Sequence, residues 1–130
     1  MVALGLVVAQ YDKHGSVIDA MAAAARDADI VETVSVPGAY DTPLAADKLA
    51  RREDVDAVAV LGVIVEGDTD HDHVIADAAA QGLTEVSLDR DLPVTLGITG
   101  PGMSEDEAAA RTEKGASAVT SAIELAEELQ

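Results

Sequence analysis

Cysteine, phenylalanine and tryptophan are all missing from this chain of 130 residues, and tyrosine occurs only twice. Without cysteine there is no disulfide framework and no thiolate, whether as nucleophile or as metal ligand. Without Phe or Trp the interior has to be built from Val, Ile, Leu and Ala. Basic residues are nearly as scarce: eight Lys and Arg, three of them Lys, face 25 Asp and Glu, a formal charge of −17 spread along the chain. A field of that sign repels phosphodiester backbones and anionic lipid, which excludes nucleic acid and membrane surfaces as partners. It suits a protein kept soluble in high salt, where counterions screen the self-repulsion, so a halophilic source is expected; an ordinary acidic protein is the alternative. Long hydrophobic runs are absent too. The apolar start from Val2 to Ala9 lacks a basic n-region and is too short to span a bilayer. The chain therefore reads as one soluble, cytoplasmic domain covering residues 1–130, large enough to bury about two thirds of its unfolded surface.

What is present is an alternation. Valine-rich apolar runs, "VALGLVVA" (Val2 to Ala9), "IVETVSV" (Ile30 to Val36), "VDAVAVLGVIV" (Val55 to Val65) and "PVTLGIT" (Pro93 to Thr99), are separated by alanine-rich stretches of helical period. Those stretches predict helices over Ser16 to Ala28, Pro43 to Arg52 and His71 to Asp89, then a helical C-terminal third from Glu105 with a possible break at Gly115. Thr42 before Pro43 reads as an N-cap with proline at N1, and Ser104 with Glu107 as a capping box. Strands apolar on both faces and alternating with helices mark parallel βα units. The expected fold is α/β and flavodoxin-like, a three-layer α/β/α sandwich on a four-stranded parallel sheet. Such sheets bind ligands outside the carboxyl ends of their strands.

Function is therefore sought in the loops "QYDKHG", "PGAYDTP", "EGDTDHDH" and "GPGMSE". Both tyrosines, Tyr11 and Tyr40, fall directly after a strand, either to stack on a flat ligand or to close the sheet edge with their hydroxyls in water. Asp41 can accept hydrogen bonds from a polyhydroxylated ligand or help to cap the helix near Pro43, and spacing alone favours the cap. In "EGDTDHDHV" the pair His71 and His73 is two residues apart, not the i,i+4 spacing that puts two metal ligands on one helical face. Asp68, Thr69 and Asp70 can cap the following helix, whose positive end suits carboxylates. Capping leaves His71 unexplained, and imidazole is the side chain that changes charge near neutrality, as general acid/base work requires. The same loop offers amides and the Thr69 hydroxyl to a phosphate. In so acidic a chain a phosphate also needs a cation. Arg111 and Lys114, three apart on one helical face, can serve, or can pair with neighbouring glutamates.

With those residues in hand, the chain resembles the 6,7-dimethyl-8-ribityllumazine synthase family of riboflavin biosynthesis, in its archaeal form, from about Leu4 to the C-terminus. The segments that carry the likeness are "VPGAYDTPLAADKL", "VLGVIVEGDTDHDHV" and "PVTLGITGPGM". The resemblance implies a transferase that needs no cofactor or metal. It would condense 5-amino-6-(ribitylamino)uracil with 3,4-dihydroxy-2-butanone 4-phosphate and release phosphate and water. By the same resemblance Tyr11 stacks on the pyrimidine, Ala39, Tyr40 and Asp41 hold the ribityl chain and ring, and Val63, Ile64 and Val65 border the pyrimidine. Asp68 and Thr69 form the phosphate loop, His71 moves the proton, Leu96 is an apolar wall and Arg111 binds phosphate, with Lys114 beside it. Three positions depart from the pattern: Asp41 stands where glutamate is common, Asp72 where bacterial members carry an aromatic, and Asp68 adds an anion that can help only through its backbone. The resemblance further implies a pentamer, in some members closed into an icosahedral shell, with Arg111 and Leu96 facing a neighbour's Tyr11, Asp41 and His71. A flavin- or lumazine-binding storage protein on the same scaffold is the alternative.

Overall fold

Valine and leucine at alternating positions build the sheet. A computed structural model describes residues 1–9, 28–104, 106–107 and 113–129, and in it β1 (Ala3–Ala9), β2 (Asp29–Val36), β3 (Ala57–Val63) and β4 (Val94–Thr99) form one parallel sheet in the order β2-β1-β3-β4. Along β1, Leu4, Leu6 and Val8 point to one face and Val7 to the other. Along β3, Ala57, Ala59, Leu61 and Val63 oppose Val58 and Val60. Both faces are apolar, so both must be covered.

Two helices cover one face and a third covers the other. On the first face lie α1 (Thr42–Ala50), preceded by a 3-10 turn (Ala39–Asp41), and α2 (His71–Arg90). Here Ala45, Ala46, Leu49, Ala79 and Leu83 pack on Val7, Val58, Val60 and Ile98. On the second face α3 (Glu113–Leu129) lays Val119, Ala122 and Ala126 over Leu4, Leu6 and Leu61. Fully burying a leucine such as Leu4, Leu49 or Leu61 stabilises by roughly 1.5–3 kcal/mol each, and small alanines let the helices approach closely. The fold is thus α/β, flavodoxin-like and three-layered, as expected.

Four details refine the expectation. β2 is an edge strand, half exposed, and its pairing skips Val31 between Ile30 and Glu32; the extra residue reverses the parity, so Val31, Val34 and Val36 all pack on the α1/α2 face. Thr42 is not the N-cap of α1 but its first residue, fully buried, with its hydroxyl donating to the Ala39 carbonyl at 2.7 Å. α3 runs through Gly115 without a break. The box at Ser104 and Glu107 forms in both directions, the Ser104 amide donating to Glu107 Oε1 at 3.3 Å and the Glu107 amide to Ser104 Oγ at 3.2 Å. The segment expected to be helical from Ser16 lies, except for Ala28, outside the described residues, as do Tyr11 and Arg111.

Candidate active site at the carboxyl ends of the strands

A parallel sheet sends every chain crossing from the carboxyl end of one strand into a loop on the same rim, and three such loops are described. After β2, Pro37 and Gly38 lead into the 3-10 turn. Ala39 is buried beneath it, while Tyr40 stands 65% exposed. Asp41 does not cap α1 through its side chain, as spacing had favoured. Its carboxylate turns back and accepts the Gly38 amide at 3.0 Å, which tightens the turn. The turn packs against α2, bringing Tyr40 and Asp41 to the rim that carries His71.

After β3 the chain stays extended through buried Ile64 and half-buried Val65, then opens into exposed Glu66, Gly67, Asp68, Thr69 and Asp70. Of the three capping candidates it is Thr69 that acts: its hydroxyl accepts the His71 amide at 3.3 Å. Asp70 contributes its backbone carbonyl, which accepts from the amides of His73 at 3.0 Å and Val74 at 3.3 Å. His71 is thereby the first residue of α2, with its imidazole exposed at the rim. Thr69 and His71 thus stand together at the start of α2.

After β4, Gly100 adopts φ +110°, a conformation that L side chains rarely reach, and a Cβ there would stand 2.3 Å from the Ile64 carbonyl oxygen. That close approach lets the β4 loop lie along the extension of β3, where the Ile64 amide donates to the Thr99 carbonyl at 2.7 Å and the Glu66 amide to the Met103 carbonyl at 2.8 Å. The third and second loops are therefore one connected surface.

Asp72 was marked only as a departure at the sequence level, yet among the described residues it is the one buried carboxylate of this rim, 6% exposed. It accepts the Gly102 amide at 2.9 Å and lies 3.8 Å from His73 Nε2. The Gly102 amide, and to a lesser degree His73, hold its carboxyl below the usual value of 3.8, against the opposing pull of burial. Its signal was present in the sequence. Asp72 falls in helical phase with Ile75, Ala76, Ala79 and Leu83, the stripe α2 buries, where a carboxylate is out of place unless it is bonded.

One proposed residue lies apart from this rim. Leu96 pairs with Val60 in the middle of the sheet, three residues or about 10 Å below Thr99, and is 41% exposed on the outer edge strand. Lys114 is exposed in the first turn of α3. Within one chain Leu96 does not stand beside His71. A separate groove of about 500 Å³, lined in part by Val55, Leu88, Leu92 and Leu125, opens at the opposite, amino end of the strands. No described helix is long and apolar enough to cross a membrane.

Against known proteins, residues 1–130 match the family model described as 6,7-dimethyl-8-ribityllumazine synthase. Curated relatives carrying that name include one from Halorubrum lacusprofundi, 65% identical over 99% of both chains. Another, from Halobacterium salinarum, is 63% identical over 99% of this chain and all of its own. A methanogen relative, from Methanococcus aeolicus, is 40% identical over 99% of this chain and 98% of its own. With the match running from the first residue to the last, this chain belongs to the 6,7-dimethyl-8-ribityllumazine synthase family.

Proposed function

We propose that the chain condenses 5-amino-6-(ribitylamino)uracil with 3,4-dihydroxy-2-butanone 4-phosphate to 6,7-dimethyl-8-ribityllumazine. The ring amine adds to the ketone with loss of water. Abstraction of the proton from the neighbouring hydroxyl-bearing carbon lets phosphate leave, the resulting enol tautomerises to a ketone, and attack of the ribityl-bearing nitrogen on that ketone, with loss of water, closes the ring. The demands on the protein are positioning and proton transfer. In this reading Tyr11 stacks on the pyrimidine, the Ala39–Asp41 turn receives the ribityl chain, and Val63, Ile64 and Val65 border the ring. Asp68, through its backbone, and Thr69 hold the phosphate, and His71 moves the proton. Arg111, with Lys114 beside it, supplies the cation. The observation that carries the reading is the loop after β3, which delivers the Thr69 hydroxyl to within 3.3 Å of the His71 amide on the rim shared with Tyr40 and Asp41.

The active form in this reading is a homo-oligomer, a pentamer or a shell of pentamers, in a single-domain cytoplasmic enzyme of a halophilic cell. Leu96 supports it, since it is exposed on an edge strand away from its own His71 and suits a neighbour's site; exposed Tyr40, Leu44 and Val74 are apolar surface of the kind that interfaces cover. The test is to mix the protein with the two substrates and follow lumazine fluorescence over the uncatalysed background. Turnover that is slowed in His71→Ala, while the ribitylated pyrimidine still binds, is expected. Binding of lumazine or flavin with no turnover by the wild type would replace the reading with a storage role.

A further inference from the structure

Asp72 makes a contact that the proton-transfer reading does not use. A carboxylate 6% exposed, on the apolar stripe of α2, is costly unless its lone pairs are satisfied, because burial removes water that would otherwise solvate the charge. Its partner is the amide of Gly102, thirty residues on in sequence, at 2.9 Å. Gly102 sits in a turn at φ +76°, two residues after Gly100, and the far side of that turn is tied to the β3 extension through the Thr99 and Met103 carbonyls. Three pieces of backbone therefore meet at this point: the end of β3, the loop after β4 and the first turn of α2.

We propose that Asp72 is a positioning residue: by accepting the Gly102 amide, its buried carboxylate clamps the β4 loop to the first turn of α2 and so fixes where His71 stands. The reasoning is geometric. Successive helical residues are rotated by about 100°, so a side chain pinned inward at Asp72 sets the direction in which the preceding His71 leaves the helix. The His71 amide donates a long bond, 3.3 Å, to Thr69, and its imidazole is exposed. A helix start can fray, since the first turn lacks intrahelical partners for its amides, and a further tie to the β4 loop opposes that. An apolar residue at position 72 would fill the same space without directing the loop. The carboxylate adds a bond with a direction.

The role of His71 in this inference rests on the function proposed above; the clamp does not. The experiment compares Asp72→Ala, which removes the acceptor, with Asp72→Asn, which keeps an acceptor oxygen of nearly the same shape. Both are measured as full-length assembled protein in the salt used for the wild type. Hydrogen exchange in the peptide containing Gly102 should speed up about tenfold in Asp72→Ala and stay within about threefold in Asp72→Asn, as the loss of one buried hydrogen bond implies. kcat per folded subunit should fall about tenfold in Asp72→Ala, recover to within about threefold in Asp72→Asn, and leave KM for the ribitylated pyrimidine within about twofold, since misplacement costs the chemical step more than binding. A purely structural carboxylate would lower activity only in proportion to the folded fraction, and that result overturns the proposal, as does wild-type kcat in Asp72→Ala. Fast exchange of the Gly102 amide in the wild type overturns it without any variant. If the wild type has no turnover, the functional reading fails on its own, and the exchange comparison still decides whether the clamp exists.

Discussion

The two ends of the sheet handle charge differently. Toward the amino ends, the arginines are paired off: Arg51 and Arg90 both reach Asp47, at 2.7 and 2.8 Å, while Arg52 reaches Asp54 at 2.7 Å and also Glu32. Arg90, then Arg51, hold the Asp47 carboxyl below its ordinary value. At the carboxyl ends Glu66, Asp68 and Asp70 stand in solvent, and among the described residues no Arg–carboxylate pair forms there. One end has paired its described arginines and the other displays anions. A phosphate arriving at the carboxyl end must therefore meet an unpaired cation, which is the part proposed for Arg111 and Lys114. Exposed ion pairs of the amino end contribute little each, about 0–1 kcal/mol. A single cation at a phosphate site counts for more, because the charge-assisted bond is made where the ligand itself is held.

Substitutions at the two ends should separate accordingly. His71→Ala is expected to lower the rate of lumazine formation by about ten- to a hundredfold, no more than the low end of what a positioned proton-transfer group contributes. Its affinity for the ribitylated pyrimidine, followed by calorimetry, should hardly change. Arg111→Ala should raise KM for the butanone phosphate about tenfold or more, with a smaller change in kcat, the loss of one charge-assisted hydrogen bond. Arg90→Gln, at the other end, should leave both kinetic constants alone and lower stability in urea melts by no more than about 1 kcal/mol. An Arg90 variant with altered KM would break the contrast between the ends.

The smallest effect is a pH dependence. Asp72 has a folded value held below the 3.8 of an ordinary carboxyl, so its ionised form is favoured in the folded state. The stabilisation is then complete above the unfolded value and is lost as pH falls through the folded one. In denaturant titrations at constant salt, the margin of the wild type over Asp72→Asn should hold from neutrality to about pH 4 and shrink below it. A margin that grew in acid would mean the carboxylate is not the bonded form.

The layers of the fold were legible because the chemistry is repetitive. Valine runs with two apolar faces, as in β1 and β3, can only be buried on both sides, and the alanine-rich segments between them have the period of a helix. β2 was legible as a strand but not in its register, since the skipped Val31 answers to its pairing with β1 and not to any local signal. Thr42 was misplaced because a threonine before a proline suits an N-cap, whereas here its hydroxyl is needed to satisfy the buried Ala39 carbonyl. Gly115 suggested a break that packing of α3 on the sheet overrides. In the site, the nearness of Thr69 to His71 followed from sequence spacing. The bond from Asp72 to Gly102 did not, because it joins residues thirty apart and depends on how two loops meet in space.

The central claim is that His71 of one protomer works with Arg111 of its neighbour, and mixing subunits tests it most directly. His71→Ala and Arg111→Ala proteins would be dissociated and reassembled together at equal amounts, and lumazine formation measured at butanone phosphate well below KM, where each variant alone is slow. Random assortment should place an intact His71 opposite an intact Arg111 in roughly a quarter of the sites, restoring activity in that proportion. Activity no greater than the sum of the two separate variants, in assemblies shown to contain both chains, would contradict the account.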